Sequence, residues 1–226
     1  MIIGNGLVAN AFKEYEHNDY CLIFASGVSN SSNTDPMAFA RERQLLEKMI
    51  NVHTEEIFVY FSTCCIYDAS RQNSPYARHK LEMETLVQQH SNYHIFRISN
   101  LAGITNNPHT FLNFFLQHIL SEQHFYLWKS AYRNIIDIDD AVAVCDHIIK
   151  EQLFKNEIVN IANPVNYPVT QIIEELEMVI QKKGKYELID KGSNPAIDTQ
   201  IVQQLFYQLN IHFDENYLRK VLQKYF

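Results

Sequence analysis

The chain has 226 residues, of which 46% are hydrophobic, and a formal net charge of −7 at pH 7. This length suits one large domain or a domain with a small lobe, and the acidic balance argues against a general nucleic-acid binder, because no basic stripe is available to displace counterions from phosphates. No apolar run reaches the about 18 residues of a membrane span, and the first residues lack a signal-peptide pattern, so we expect a cytoplasmic protein.

Strand and helix patterns alternate through the first half of the chain. In chain order they are the strand "MII", the turn "GNGLVANAF" opening a helix to about Tyr15, the strand "YCLIFAS", the helix "MAFARERQLLEKMINV", the strand "EIFVYFST", the helix "SPYARHKLEMETLVQQH" and the strand "YHIFRISNLAG". Asp35-Pro36 predicts the start of the second helix, since proline is favoured at the first helical position. The near-continuous apolar run "EIFVYFST" is typical of a strand covered on both faces.

The second half continues the alternation. It contains the helix "NPHTFLNFFLQHILSEQ" opened by Pro108, a strand and an Asp-capped helix in "AYRNIIDIDDAVAVCDHIIKEQ", the strand "EIVNIAN", the helix "VTQIIEELEMVIQKKG" ended by Gly184, and a helical tail after Asp198. The pattern predicts an α/β fold with a mainly parallel sheet. We expect a nucleotide-binding domain at 1–160, with 101–132 contributing to a substrate lobe, and a small C-terminal lobe at 161–226.

A glycine turn follows the first strand. Gly4, Gly6 and Ala9 fit the G-x-G-x-x-G/A spacing, in which glycine permits a tight turn and brings the backbone close to a pyrophosphate at a helix start. A simple strand-to-helix bend is the alternative. The acidic residue expected about 20 positions on, at the end of a second strand, has no counterpart, because Asp19 lies before the next strand.

Thr63, Tyr76 and Lys80 form a second candidate group. Tyr76 and Lys80 are four residues apart on one predicted helix, so they share a face, and an ammonium near a phenol lowers its pKa, which suits a proton donor or acceptor. Thr63 ends an apolar strand, where parallel sheets bind their ligands. Tyr-x-x-x-Lys also arises by chance, and an exposed helix pair is the alternative interpretation.

Six segments, in order, resemble the extended short-chain dehydrogenase/reductase superfamily, in its branch of nucleotide-sugar epimerases, dehydratases and reductases. They are "GNGLVA", "VYFSTCCIYD", "YARHKLEME", "FRISNLAG", "RNIIDIDDAV" and "VNIANPVNYPVTQIIEEL". The resemblance covers nearly the whole chain. It implies a Rossmann-like doubly wound parallel sheet with a small C-terminal substrate lobe.

The resemblance also implies NAD or NADP as cofactor and assigns roles. Tyr76 matches the general acid/base, Lys80 the residue that bonds the nicotinamide ribose and tunes the phenol, and Thr63 the catalytic Ser/Thr, with Ser62 as the less favoured candidate. Asn100 resembles a substrate-contacting Asn, and Arg133 the arginine that clamps a nucleotide-sugar diphosphate. The implied cofactor contacts are Gly4, Gly6, Leu7, Val8, Ala25, Ser26, Gly27, Ser62 and Lys80.

Two departures from the family pattern matter. Cys64-Cys65 stands where sugar-nucleotide 4,6-dehydratases carry an Asp-Glu pair, which makes dehydration improbable. About one strand–helix–strand unit after the first helix is missing compared with the family. That unit forms the outer edge of the sheet and the adenine wall, so discrimination between NAD and NADP cannot be predicted.

Other reactive side chains have ordinary structural explanations. The four cysteines are expected to be reduced core thiols, with a nucleophile or thiol acid at Cys64 or Cys65 as the alternative. His79 is predicted to lie at the surface. Asp137, Asp139 and Asp140 are predicted to cap and begin a helix rather than bind a metal.

The expected function is a cytoplasmic NAD(P)-dependent reductase or epimerase acting on a nucleotide-activated sugar for bacterial surface polysaccharide. The alternative is a nucleotide-sugar or dinucleotide binding subunit without redox activity, which the shortened cofactor region favours. The aromatic stretch "FLNFF" either lines the sugar-nucleotide pocket or belongs to the core. The helices at 37–52 and 76–90 match the pair that forms a four-helix bundle in family dimers, so a homodimer is expected.

Overall fold

A computed structural model describes the whole chain, Met1–Phe226, as strands that alternate with helices. The strands are β1 (Ile2–Ile3), β2 (Cys21–Phe24), β3 (Ile57–Thr63), β4 (Tyr93–Ile98), β5 (Asn100–Ala102), β6 (His124–Trp128), β7 (Tyr132–Arg133), β8 (Ile135–Asp137), β9 (Glu157–Ile161), β10 (Tyr167–Pro168) and β11 (Lys185–Ile189). The helices are α1 (Leu7–Ala11), α2 (Pro36–Val52), α3 (Pro75–Val87), α4 (Phe111–Leu120), α5 (Ile138–Lys150), α6 (Val169–Ile180), α7 (Gln200–Gln208) and α8 (Tyr217–Tyr225). No helix combines the length and the apolar character that crossing a bilayer requires.

Five parallel strands form the central sheet, in the order β1-β2-β3-β4-β9. Alternate residues of each strand point to opposite faces. Phe58 and Tyr60 of β3 therefore pack with Leu46 of α2 and Met83 of α3, while Val59 packs with the cluster formed by α1, α5 and α7. The result is the predicted Rossmann-like α/β arrangement, with helices on both faces of a parallel sheet.

The strand order shows what is missing from the sheet. A dinucleotide-binding sheet has the order 3-2-1-4-5-6, in which the strand before the glycine turn is internal. In this chain β1 lies at the edge and pairs on one side only, with β2. Removing strands 2 and 3 from the full order leaves this arrangement, so the predicted loss of one outer strand–helix–strand unit is confirmed.

The helix starts follow the capping residues of the sequence. The Asp35 side chain accepts a hydrogen bond from the Met37 amide at 2.9 Å and Pro36 is the first residue of α2, as predicted. The first helix is shorter than predicted, since α1 ends at Ala11 and a 3-10 turn covers Lys13–Tyr15.

Helix α4 begins later than predicted. It starts at Phe111 rather than at Pro108. The reason is a turn at Asn107, whose side-chain oxygen accepts from the His109 amide at 3.0 Å and whose carbonyl accepts from Asn113 at 2.9 Å.

A second core lies beside the central sheet. It is built mainly from α4, α6, α8 and β6, and it includes Leu112 and Phe115 of the aromatic stretch, whereas Phe114 is exposed. The core interpretation of that stretch therefore holds for these two residues. Parallel pairing of β6 with β11 and antiparallel pairing of β7 with β10 complete this part. The chain after residue 161 also contributes to the first core, since Val202, Leu205 and Phe206 of α7 lie there.

Candidate active site

The glycine turn connects β1 to α1 at the carboxyl edge of the sheet. Gly4 has φ +136°, and a Cβ there would collide with the Ala25 carbonyl, so only glycine fits. Gly6 precedes α1, and a Cβ there would meet nothing within 4 Å. The backbone at Gly6 is therefore open to close approach from outside. Leu7 and Val8 begin the helix directly behind this opening.

Residues 25–27 pack beside the glycine turn. The Ala25 amide donates to the Ile3 carbonyl at 2.8 Å, which extends the β1–β2 pairing into the loop. A Cβ at Gly27 would come within 2.6 Å of the Lys80 Nζ. The loop thus lies between the glycine turn and α3, and it needs glycine at position 27 because the Lys80 ammonium occupies the space.

Thr63 and Tyr76 come together at the carboxyl end of β3. The Thr63 hydroxyl accepts from the Cys65 amide at 3.1 Å and lies beside the Tyr76 phenol. Burial raises the pKa of Tyr76, and Cys65 and Glu42 raise it further, whereas the neighbouring Thr63 hydroxyl lowers it. The phenol is consequently protonated at neutral pH and can donate a proton in this state.

Lys80 is buried behind the site. Its Nζ donates to Glu42 Oε1 at 3.0 Å, to the Tyr60 hydroxyl at 2.9 Å and to the Phe61 carbonyl at 3.1 Å. An ammonium has three donors and no acceptor, so every N–H of Lys80 is used inside the protein. Contact of Lys80 with a nicotinamide ribose remains a prediction, and it requires one of these hydrogen bonds to open.

Glu42 is a residue of the site that sequence reasoning missed. Its carboxylate accepts from Tyr60 and Lys80 through one oxygen and from the Val28 amide and His79 through the other. Burial alone raises the pKa of Glu42, but the Lys80 charge and these hydrogen bonds outweigh it and lower the pKa to about 2.

The sequence contained a sign of this position. Phe39, Glu42, Leu46 and Met49 recur at helical spacing on the inner face of α2. An acidic residue on such a face requires a cationic partner.

The surface prediction for His79 is wrong. The ring is buried, donates through Nε2 to Glu42 at 3.0 Å and stacks on Phe39 with centroids 4.5 Å apart. The helix turns this face toward α2 rather than toward solvent, because α2 and α3 pack side by side over the sheet.

Ser62 faces a second buried group. Its hydroxyl donates to Glu84, whose carboxylate also accepts two hydrogen bonds from the Arg97 guanidinium, at 2.9 and 2.6 Å. The guanidinium donates onward to the Tyr67 hydroxyl. Ser62 precedes Thr63 in the chain, but its side chain is hydrogen-bonded to Glu84 of α3. A cofactor contact by Ser62 therefore remains a prediction.

Arg133 lies across the site from β3. One of its Nη atoms lies 3.2 Å from Asp68 and donates to the Tyr132 carbonyl, and the guanidinium lies over the Phe111 ring at 5.8 Å. Burial lowers the pKa of Arg133, and Asp68 opposes that effect. A guanidinium has five donors, and only this Nη has a protein partner. The rest of the fork is free for a ligand.

Asn100 is held beside β8. Its side-chain amide donates to the Asn134 carbonyl at 2.8 Å, and the Asn134 side chain in turn donates to the Asn163 carbonyl at 2.7 Å. These contacts fix the strand pair β5–β8 at the floor of the site. The predicted substrate contact of Asn100 requires its carbonyl oxygen, which has no partner within the protein.

Arg71 is the other residue that sequence reasoning did not single out. It donates to the Ser31 hydroxyl at 2.6 Å. Burial raises the pKa of Tyr76 and lowers that of Arg133, and the charge of Arg71 has a smaller effect that lowers both. It lies on the loop just before α3. The charged side chains that act on Tyr76 therefore include the Arg71 guanidinium, which lowers its pKa, and the Glu42 carboxylate, which raises it.

The remaining reactive groups have structural roles. All four cysteines are free, and Cys64 donates to the Arg97 carbonyl while burial raises its pKa. The helix-start interpretation of the acidic cluster is confirmed, because the Asp137 side chain accepts from the Asp139 amide at 2.9 Å. Lys224 of the last helix pairs with both carboxylates at 2.7 Å.

Comparison with known proteins decides the family. The model of the NAD dependent epimerase/dehydratase family matches residues 3–162, more than half of the chain. The chain belongs to this family. The matched residues include the glycine turn, Thr63, Tyr76 and Lys80. No curated protein sequence matches the chain.

Solved structures of similar fold span most of the chain. UDP-glucuronic acid 4-epimerase from Bacillus cereus, in complex with UDP-glucuronic acid and NAD, superposes with a TM-score of 0.72 at 15% identity over 95% of this chain and 76% of its own. dTDP-glucose 4,6-dehydratase from Bacillus anthracis, in complex with NAD, gives 0.70 at 15% over 96% and 76%. UDP-glucose 4-epimerase from Thermus thermophilus, in complex with NAD, gives 0.66 at 16% over 95% and 79%. At these identities the likeness shows the fold.

The epimerase/dehydratase family uses NAD, and the residues of this chain fit that group unevenly. The glycine turn fits, because Gly6 leaves open space and Gly4 allows the tight approach to Ala25. The ribose contact fits less well, because the three N–H groups of Lys80 already have partners. The adenosine side lacks the outer strands, since β1 is the edge of the sheet.

Proposed function

We propose that this chain is an epimerase or reductase that acts on a nucleotide-activated sugar with NAD, and that Thr63 and Tyr76 act on the reacting hydroxyl. The observation that carries the proposal is that the Thr63 and Tyr76 hydroxyl groups lie beside each other at the carboxyl end of β3. Ligands of parallel sheets bind at this edge. The glycine turn lies two strands away at the same edge, which supports a cofactor and a sugar meeting there.

The glycine turn at Gly4 and Gly6 would hold NAD, which when bound would supply hydride-transfer chemistry. Tyr76 acts on the sugar oxygen: its phenol donates a proton to a developing alkoxide, or its phenolate accepts one from a hydroxyl. Thr63 orients that oxygen by hydrogen bonding.

Arg133 supports the nucleotide part of the proposed substrate. The free side of its guanidinium suits the planar, bidentate recognition of phosphate oxygens. Arg71 lies on the loop facing it and adds a second positive charge. The pair therefore favours an anionic ligand such as a sugar nucleotide diphosphate, with Asn100 at the floor of the site as the sugar contact.

A second candidate is a nucleotide-sugar or dinucleotide binding subunit without redox activity. Two observations favour it: the N–H groups of Lys80 are all used internally, and the outer strands beside β1 are absent. Arg133 keeps free donors in both cases. Binding of a sugar nucleotide is therefore compatible with either function, and redox turnover separates them.

Calorimetry and turnover together test these candidates. The protein is titrated with NAD, NADH, NADP and NADPH, and separately with UDP-, dTDP- and GDP-sugars, and each binding pair is then assayed for conversion of the sugar. We expect NAD or NADH to bind and the sugar to be epimerised or reduced. Binding of a sugar nucleotide with no heat from any dinucleotide and no turnover would establish the second candidate instead.

Three finer points belong to the same proposal. The product is proposed to supply a bacterial surface polysaccharide, in the cytoplasm, and the protein is proposed to act as a homodimer through α2 and α3. Exposed apolar side chains on these helices, Met37 and Leu81, support the dimer. Light scattering at micromolar concentration tests it, and a monomer of 26.5 kDa would contradict it.

A further inference from the structure

A buried carboxylate joins the loop after β2 to helix α3. Glu42, on α2, accepts from the Val28 amide at 2.6 Å and from His79 at 3.0 Å through one oxygen. Through the other it accepts from Lys80 at 3.0 Å and from Tyr60 at 2.7 Å. A carboxylate has about four acceptor sites, so these four donors satisfy it completely.

The same arrangement provides acceptors for the N–H groups of Lys80. Tyr60 accepts from Lys80 at 2.9 Å while donating to Glu42, so the phenol, the ammonium and the carboxylate form a triangle. All three side chains are buried. Because opposite charges attract most strongly away from water, the positive charge of Lys80 is balanced by Glu42 before it acts on any other group.

We propose that Glu42 is a positioning residue of this site: it neutralises Lys80 and ties it to the 25–28 loop, so that Lys80 acts on Tyr76 or on a ligand only when this contact opens. The inference deepens the proposed function and rests on it for the identity of the ligand, a dinucleotide ribose. A ribose hydroxyl that accepts from Lys80 must replace one of the three present acceptors.

The charged groups near Tyr76 determine in which direction its pKa should shift when Glu42 is replaced. Glu42 on α2, Cys65 on the turn after β3 and Arg71 on the loop before α3 act on Tyr76 by charge, and the Thr63 hydroxyl lies beside the phenol. Tyr60 lies near the phenol from β3. Replacing the Glu42 carboxylate with an amide removes a negative charge and leaves Lys80 positive, so the phenol should ionise at lower pH.

Lysine and tyrosine NMR of the full chain measures both effects without any ligand. In Glu42→Gln we expect the Nζ protons of Lys80 to exchange with water at least tenfold faster than in the wild type, and the Tyr76 titration midpoint to fall. Tyr76→Phe assigns the tyrosine signal. The matched control is Glu177→Gln, another buried carboxylate, bonded to Lys183 and to the Gly184 amide away from Lys80 and Tyr76, which should leave both readouts unchanged.

A milder variant covers the case in which Glu42→Gln fails to fold. Tyr60→Phe keeps the ring and the Glu42–Lys80 ion pair but removes one acceptor from Lys80, so faster Nζ exchange is expected there too. Unchanged exchange in the foldable variants would overturn the role given to Glu42. Calorimetry with NAD is read separately: no heat with the wild type or any variant overturns the proposed cofactor use, while the NMR result still decides the role of Glu42.

Discussion

The Nζ atom of Lys80 lies 3.0 Å from Oε1 of Glu42, and both side chains are buried between α2 and α3. A partner 38 residues away in the chain thus holds the lysine of the Tyr-x-x-x-Lys pair. The arrangement has consequences for stability as well as for binding, because an ion pair enclosed in this way depends on both charges.

The ion pair should make the free energy of unfolding depend on pH in the acid range. The folded pKa of Glu42 is about 2, against 4.5 for the free side chain, after burial is outweighed by Lys80 and the hydrogen bonds. Its contribution is therefore present above pH 4.5 and is lost as the pH falls toward 2. At about 1.4 kcal/mol per pH unit, the difference amounts to about 3 kcal/mol.

Urea unfolding at pH values between 3 and 7 measures this contribution. Because other carboxylates also titrate, the comparison is with Glu42→Gln, which should lose part of the pH dependence and be less stable at pH 7 by about 3 to 5 kcal/mol. An identical pH dependence in the variant and the wild type would contradict the assignment.

Removing the Tyr76 hydroxyl should abolish turnover without unfolding the protein. For Tyr76→Phe we expect kcat to fall by a factor of roughly 10² to 10⁴, the usual contribution of a positioned acid or base, and the melting temperature to stay within a few degrees. The exposed Tyr207→Phe serves as the control and should be fully active. A fully active Tyr76→Phe would remove Tyr76 from the mechanism.

Two glycine substitutions should separate stability from cofactor binding. A Cβ at Gly27 would lie 2.6 Å from Lys80 Nζ and 2.9 Å from Glu42 Oε1, and both groups are locked in place, so Gly27→Ala should cost about 1 to 3 kcal/mol. A Cβ at Gly6 meets nothing, so Gly6→Ala should leave stability nearly unchanged yet weaken NAD binding by filling the open space. Urea unfolding and calorimetry of both variants check this, and equal effects of the two on stability would contradict it.

Replacing the guanidinium of Arg133 should weaken sugar-nucleotide binding. Arg133→Lys keeps the charge but loses the planar fork, so we expect the Kd for the sugar nucleotide to rise about tenfold while the affinity for the dinucleotide is unchanged. Arg43→Lys, in an exposed pair with Glu47, is the control. Unaltered sugar-nucleotide affinity in Arg133→Lys would place the diphosphate elsewhere.

Local chemistry predicted the larger elements well. The apolar run of β3, the proline start of α2 and the Asp137 cap of α5 all lie where the sequence indicated. These features depend on residues next to one another in the chain. The missing outer unit was also predictable, because comparison with the family pattern showed about one strand–helix–strand unit lacking after the first helix.

Elements of the second core were harder to predict. Residues 93–102 carry one apolar pattern but form two strands, β4 and β5, which pair with different partners, β3 and β9 for the first and β8 for the second. Strands β6 and β11 were not predicted at all. They pair with each other across about 60 residues, and a five-residue strand has too short a pattern to be distinguished from a loop.

The sequence by itself determined the alternation of strands and helices, the glycine turn and the placement of Thr63 and Tyr76 near the end of one strand and the start of the next helix. Only the tertiary structure decided that Glu42 forms a buried ion pair with Lys80, that Asp68 and Arg71 flank Arg133, and that His79 is buried. Spacing along one helix fixes which side chains lie on the same face. The packing of α2 against α3 decides which charged group lies opposite that side chain, and this packing depends on the whole sheet.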